Sequence, residues 1–292
     1  MNDSQKFTLV IGATGTTGSR VAAQLAAAGR RVKAAGRHAT PVDGAHAVRF
    51  DWDDPSSFEG ALEGALEGVD RVYLIPPIGS SDPAAVMLPF LRQARSAGVH
   101  RAVLLSSSAI PVGGPAVGQV HQALPDLFPQ WAVLRPSWFM QNFTGDHAHA
   151  QTVRADGTIR TATGKGRVGF VDADDIAAVA VRALTDEQAP NTDLLLTGPQ
   201  ALSYDDIAAI LTRITGRTIT HHRLTHEQMR QRLALDIPAQ FAAMLADMDH
   251  TIAGGAEDRT TDTVQRLTGR APRSFRAFAE QELRPRGRAG TN

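Results

Sequence analysis

Three glycines at three-residue spacing, Gly12, Gly15 and Gly18, interrupt the stretch FTLVIGATGTTGSRVAAQL near the start of this 292-residue chain. Thr14, Thr16 and Thr17 lie between them, so the pattern is GxxGxxG. A turn entered from a strand and left through a helix gathers several backbone N–H groups and a helix N-terminus at one point, which is where a pyrophosphate binds. Glycine is required because a Cβ would strain the turn, hold the phosphate away, or keep the helix from closing on the strand. Gly36-Arg37-His38 ends the second apolar segment. At that point of a dinucleotide site an acidic residue would bond a ribose 2′-hydroxyl, whereas a guanidinium suits a 2′-phosphate. Arg37, with His38 and Lys33 nearby, therefore predicts NADP(H) in preference to NAD(H). Asp51, first of the run Asp51-Trp52-Asp53-Asp54, is placed to lie beside the adenine. Capping a helix that starts near Pro55 to Phe58 is the competing role, and it suits Asp53 or Asp54 better.

Proton chemistry is defined by what is missing. Carbonyl-reducing short-chain enzymes use Tyr-x-x-x-Lys, in which a phenol protonates the alkoxide left by hydride addition. The two tyrosines here, Tyr73 and Tyr204, are followed four residues on by Pro77 and Ala208, and the only lysines are Lys6, Lys33 and Lys165. A ketone accepting hydride becomes a localised anion that needs a general acid. An iminium ion becomes a neutral amine, and a quinone or enone becomes a delocalised, weakly basic anion. The sequence therefore favours acceptors that are already activated. His121 is the titratable side chain placed to reach such a site, since imidazole titrates near neutrality; a structural role on its short helix is the alternative. His147/His149 and His221/His222/His226 lack cysteine neighbours and an H-E-x-x-H pattern, so no metal is expected.

These residues need a frame that brings strand ends together. Apolar runs at Phe7–Ile11, Arg31–Ala35, Ala47–Phe50, Arg71–Ile75, Ala102–Leu105, Trp131–Leu134 and Leu194–Thr197 read as buried strands of a parallel sheet. Helical spacing through Val21, Ala22 and Leu25, over Ala84–Ala97, over Val117–Leu124 before Pro125, and over Ile176–Leu184 supplies the crossovers. Asp174 and its neighbours read as N-caps of the last of these. The expected fold is α/β, a Rossmann-type doubly wound parallel sheet with a smaller, mainly helical C-terminal substrate-binding region. Ile75, Pro76 and Pro77 would then edge the cofactor trough, with Ser107 delivered beside them and Pro136 and Trp138 after the sixth strand. Phe139, Met140 and Phe143 would supply an apolar wall for a flat substrate. Residues 1–155, completed by 171–198, are expected as the dinucleotide domain. Residues 156–170 and 199–292 are expected as the capping region, with a hairpin-like piece at Thr158–Val171. Helices are expected at Tyr204–Thr215, His226–Ala234, Pro238–Gly254, Thr261–Leu267 and Phe275–Leu283.

Bulk composition narrows the partners. Lys+Arg and Asp+Glu number 30 each, so no global field recruits nucleic acid or an anionic membrane. There is no cysteine, which excludes disulfides and thiolate chemistry and is compatible with a cytoplasmic location. Met1 leads through polar residues into a strand, so no signal peptide is expected, and no apolar run approaches the roughly 20 residues of a membrane span.

With GATGTTG, the strand end Gly36-Arg37, LRPSWFMQNF (Leu134 to Phe143) and VDADDIAAVA (Val171 to Ala180) in hand, the chain resembles the NmrA-like branch of atypical short-chain dehydrogenases/reductases. Within it, VGQVHQAL (Val117 to Leu124), LLLTGPQALSYDDIAAIL (Leu194 to Leu211), GRTITHHRL (Gly216 to Leu224) and VQRLTGRAPRSFRAFAEQ (Val264 to Gln281) are similar to the ergot-alkaloid reductase group of agroclavine dehydrogenases and festuclavine synthases. The resemblance implies an NADP-dependent reductase of a cyclic iminium, in secondary metabolism such as alkaloid biosynthesis; a monomer or homodimer is expected. Sister branches imply two alternatives, a quinone reductase and an NADP-sensing regulatory protein without turnover. The Arg/Gly-rich tail after Leu283 has no counterpart in that resemblance.

Overall fold

The computed structural model describes residues 6–54, 56–57, 68–80 and 82–283. Strand β1 (Phe7–Ile11) is buried throughout, as expected for a central parallel strand covered on both faces. It is followed by α1 (Gly18–Ala27), whose buried face is Val21, Ala22 and Leu25, and by β2 (Arg31–Gly36), β3 (His46–Arg49) and β4 (Val69–Leu74). Next come α2 (Pro83–Ser96), β5 (Arg101–Leu105), α3 (Gly118–Leu127) and β6 (Gln130–Pro136). Past Ser56 and Ser57, the helix expected near Pro55 to Phe58 lies outside the described residues.

After Pro136 the chain enters a second compact unit, with a 3₁₀ turn at Met140–Phe143, α4 (Ala148–Asp156), β7 (Thr158–Thr161) and β8 (Arg167–Val168). It returns to the first unit as α5 (Ala173–Thr185) and β9 (Thr192–Leu196). It leaves again for β10 (Leu202–Ser203), α6 (Tyr204–Thr215), β11 (Thr220–Arg223), α7 (His226–Leu233) and α8 (Ala239–Ala253). One more helix, α9 (Thr263–Thr268), belongs to the first unit, and α10 (Phe275–Leu283) to the second.

The first unit holds a seven-stranded sheet of order β3-β2-β1-β4-β5-β6-β9, every pairing parallel. The order reverses between β1 and β4, and a doubly wound sheet binds its ligand at the carboxyl side of that reversal. One face is filled by an aromatic cluster in which Phe50, Trp52 and Phe90 meet edge to face, with centroids 4.8 to 5.3 Å apart. At β5, Arg101 is only 2% exposed. Its guanidinium donates to the carbonyls of Leu184 (3.0 Å), Asp186 (2.6 Å) and Glu187 (3.1 Å) and to Gln130 Oε1 (2.6 Å), closing the C-terminus of α5 onto the sheet.

The second unit is built on Phe143, Phe170, Tyr204, Ile207, Phe275 and Phe278. Helix α6 starts at a capping box between Ser203 and Asp206, and α7 at one between Thr225 and Gln228. At its heart Asp172, fully buried, pairs with Arg273 at 2.8 Å and accepts from Gln141 at 2.8 Å.

Several expectations are corrected. The boundary between units falls after Pro136 rather than at 155, and α9 joins the dinucleotide unit. Residues 158–171 are not a hairpin: β7 pairs in parallel with β11, and β8 pairs antiparallel with β10. The C-terminal block thus contributes two short strands. Helix α3 runs through Pro125 to Leu127, because proline removes a single intrahelical bond and the buried face of Val120, His121 and Leu124 holds the helix in place. Helix α4 was not anticipated; Ala150 is its one buried side chain, so it carries little apolar periodicity.

Candidate functional site

The glycine turn sits at the end of β1. Gly12 has φ +72°, and a Cβ there would lie 3.0 Å from Ile75 Cδ1. At Gly18, the first residue of α1, a Cβ would lie 2.1 Å from the Gly12 carbonyl oxygen, so helix and strand close only on glycine. The Gly15 N–H donates to the Gly12 carbonyl (2.9 Å) and the Ala13 N–H to the Ala35 carbonyl (3.1 Å), which fixes the turn to β2. Thr14, Gly15 and Thr16 are exposed, while Thr17 and Gly18 are buried. Among the described residues no backbone bond uses the N–H of Thr16 or Thr17. The first turn of α1 carries no acidic side chain, so free donors and the positive end of the helix dipole face one point. This cradle fits a pyrophosphate.

The exits of β2 and β3 meet beside this turn. After β2 the chain makes a tight turn from Gly36 to Ala39, whose N–H donates to the Gly36 carbonyl at 3.3 Å and whose φ is +46°. Arg37 and His38 occupy the exposed tip, and no hydrogen bond or ion pair among the described residues engages the Arg37 guanidinium. The Phe50 N–H donates to the Gly36 carbonyl (2.9 Å), bringing the exits of β2 and β3, and hence Arg37 and Asp51, side by side. Lys33 is not part of this edge: it is buried, with its ammonium 5.0 Å from the Phe7 ring at the opposite end of the sheet. Asp51 is half-buried and accepts from the Asp53 N–H at 3.2 Å. The neighbouring Asp54 accepts from the N–H and hydroxyl of Ser56 and pairs with Arg49 at 2.7 Å. Those contacts, the Ser56 hydroxyl first, hold its pKa down to about 2.

Beyond β4, Ile75, Pro76 and Pro77 are half-buried, and the Trp52 indole donates to the Ile75 carbonyl at 3.0 Å. Beyond β5, the Ser106 and Ser108 N–H groups donate to Leu134 and Pro136, so Ser107 is held half-buried beside the end of β6. Pro136 is buried. Arg135, which the residue pattern did not single out, pairs with Asp193 at 2.7 Å and donates to the Ser108 carbonyl at 3.1 Å, tying three strand ends together. His121 is 4% exposed, and its Nδ1 is buried without a hydrogen-bond partner among the described residues. Burial lowers its pKa, outweighing the opposite pull of Asp193, so the ring is neutral at pH 7. Tyr73 lies fully buried in β4, and desolvation raises its phenol.

In the second unit Trp138 and Phe139 are half-buried, and the segment is laced to Val171 by the Trp138 carbonyl and the Met140 N–H, both at 2.9 Å. Met140 and Phe143 do not form an apolar wall for a ligand. They are 1% and 2% exposed, with Phe143 meeting Phe275 and Phe170 edge to face at 5.2 and 5.6 Å; the aromatic core accounts for both. His149 stacks on Phe143 with its pKa pushed down to about 3 by burial. Among the described residues no three His, Cys, Asp or Glu side chains are grouped for a metal ion.

Comparison with known proteins agrees with this geometry. Residues 12–187 match the NAD(P)H-binding family and residues 128–271 the NmrA-like family. An uncharacterized oxidoreductase of Bacillus subtilis, YesF, is 44% identical, the alignment covering 93% of each chain. Agroclavine dehydrogenase of Claviceps fusiformis is 40% identical over 92% of this chain and 95% of its own. Among solved structures, the NADPH-dependent quinone oxidoreductase QOR2 of Escherichia coli, complexed with NADPH, superposes with a TM-score of 0.73 at 23% identity, covering 95% of this chain and 99% of the other, and shares the fold. A glycine cradle at the reversal of a doubly wound sheet and matches that run most of the chain's length lead to one conclusion: this protein belongs to the NmrA-like family of NAD(P)H-binding proteins, among oxidoreductase relatives.

Proposed function

We propose that this protein is an NADPH-dependent reductase that delivers hydride to an activated acceptor, a cyclic iminium or a conjugated C=C, of a small apolar or aromatic secondary metabolite. The observation that carries this reading is the state of its proton donors. Tyr73 and Tyr204 are 0% and 1% exposed with their phenols raised by burial, no Tyr-x-x-x-Lys pair exists, and His121 is neutral and desolvated. An alkoxide formed from a ketone would find no acid, whereas an iminium or a conjugated acceptor needs none. The likeness to agroclavine dehydrogenase supports the iminium branch.

Bound NADPH supplies the hydride. The Gly12–Gly18 turn, with Thr14, Thr16 and Thr17, holds the pyrophosphate; Arg37 and His38 hold the 2′-phosphate; Asp51 lies beside the adenine. Ile75, Pro76, Pro77, Ser107 and Pro136 flank the nicotinamide half. Reduction of a quinone is a second reading favoured by the same lack of an acid, since its product anion is delocalised.

The test follows NADPH consumption with a cyclic iminium, a quinone panel, and a ketone shaped like the iminium, for wild type and His121→Ala. We expect the iminium to be reduced by both proteins and the ketone by neither, with His121→Ala costing far less than the roughly 10²–10⁴-fold typical of losing a general acid. Turnover of the quinones alone would select the second reading. Binding of NADPH without any turnover would select the regulatory one. Ketone reduction abolished by His121→Ala would overturn the mechanism.

A further inference from the structure

We infer that Trp52, which no sequence pattern marks, is a positioning residue that sets the cofactor trough from behind, an inference that rests on the dinucleotide reading above. Three contacts carry it. Ile75 is the first residue past the β4 ladder, whose pairings to β1 and β5 end at Tyr73 and Leu74, so its carbonyl has no strand partner. The next two residues are Pro76 and Pro77, which have no N–H and cannot anchor the segment themselves. The Trp52 indole N–H fills that gap at 3.0 Å.

The indole is itself immobilised. Trp52 is 8% exposed, and its ring meets Phe50 at 4.8 Å and Phe90 at 5.3 Å, edge to face in both cases. On the other side, Ile75 packs directly onto Gly12, within 3.0 Å of where a Cβ would stand, and the Gly12 carbonyl accepts the Gly15 N–H at 2.9 Å. A continuous path therefore runs from Trp52 through Ile75 to the phosphate turn, all within the first unit. Because the indole follows Asp51 directly, it also fixes the exit of β3 relative to that of β4. Losing the N–H frees the Ile75-Pro76-Pro77 edge, while a phenylalanine at this position keeps one aromatic ring in the cluster. The consequence falls on dinucleotide affinity and is the same for both cofactors, because this edge lies on the part they share.

The experiment is a double-mutant cycle of Trp52→Phe and Ile75→Ala, read as the Kd of NADPH and of NADH by calorimetry, with Tm recorded for each protein. Trp52→Phe should weaken both cofactors about three- to tenfold by the same factor, and the double variant should lose little more than the worse single one, the signature of residues acting as a unit. If Trp52→Phe proves too unstable to titrate, Trp52→Tyr, which keeps a ring without the indole N–H, takes its place in the cycle. Unchanged affinity in a folded variant, or strictly additive losses, would overturn the inference. Wild-type protein that binds neither dinucleotide would instead refute the cofactor reading on which it stands.

Discussion

On the cofactor reading proposed above, replacing Arg37 with alanine should abolish a preference for NADPH over NADH. Arg37 sits at the exposed tip of the Gly36–Ala39 turn and has no partner among the described residues, so its loss orphans no buried group and should leave Tm within about a degree or two. A hydrogen bond between a guanidinium and a phosphate contributes about 1.5–3 kcal/mol. Solvent screens an exposed pair, which places this one at the low end, about 1.5 kcal/mol, or roughly a tenfold rise in the Kd for NADPH. NADH, lacking the 2′-phosphate, should bind Arg37→Ala and wild type alike. Arg37→Lys should recover part of the NADPH affinity, because an ammonium keeps the charge and loses the planar fork. Titrations by calorimetry at low and high salt check the reasoning: the wild-type preference for NADPH should shrink as salt rises, and the preference of Arg37→Ala should not change. Equal losses for both cofactors, or a salt-independent preference, would refute the assignment.

Other perturbations separate binding from folding. Gly18→Ala places a Cβ 2.1 Å from backbone and should lower Tm sharply, whereas Gly15→Val, at an exposed position 3.3 Å from the Gly12 carbonyl oxygen, should keep the fold and lose dinucleotide binding. A folded Gly15→Val protein with intact NADPH affinity would remove the pyrophosphate from this turn. Arg101→Leu strands the carbonyls that close α5 and should cost about 3 kcal/mol in urea unfolding; a loss below roughly 0.5 kcal/mol would show that water replaces the guanidinium. Asp249, 8% exposed, accepts the Ala162 N–H at 2.7 Å, and burial pushes its carboxyl up to about 6. A raised carboxyl penalises the folded state once ionised: nothing is lost below about pH 4, the loss grows up to about pH 6, and it is constant above. The stability of Asp249→Asn relative to wild type should therefore rise by about 2 kcal/mol between about pH 4 and about pH 7, and a flat difference would sink the argument.

The apolar runs, the glycine turn and the strand-end arginine were readable in the amino-acid order because each depends on neighbours in sequence. A buried parallel strand is a short apolar run, a phosphate turn needs glycine at fixed spacing, and Arg37 follows its strand directly. Local pattern also marked α6 and α10 with the same limits the structure shows, since Ser203 and Asp206 cap the first within four residues and the second keeps an apolar stripe through Phe275 and Phe278. Where the signal was weak, as in α4 with its single buried alanine, the helix went unseen.

Tertiary structure alone decided which of two plausible roles a side chain fills, because burial and partnership are set by residues far away in the chain. Asp54 bonds Ser56 while Asp51 stays beside the exit of β2, since a hydrogen bond from Phe50 to Gly36 draws those two strand ends together. Phe143 looks as available as Phe139 on paper, yet it is enclosed by Phe170, Tyr204 and Phe275, which come from later in the chain. Lys33 turns its ammonium over Phe7, away from the edge where Arg37 lies. The same holds for the strands at 158–168, read from the sequence as one hairpin-like piece: the partners that satisfy their backbone groups, β11 and β10, are tens of residues distant. The sequence alone therefore determined a doubly wound sheet and the glycine turn at its first strand end. Long-range packing assigned the carbonyl of Ile75 to Trp52 and the C-terminus of α5 to Arg101, because a buried polar group takes whichever donor the fold brings within reach.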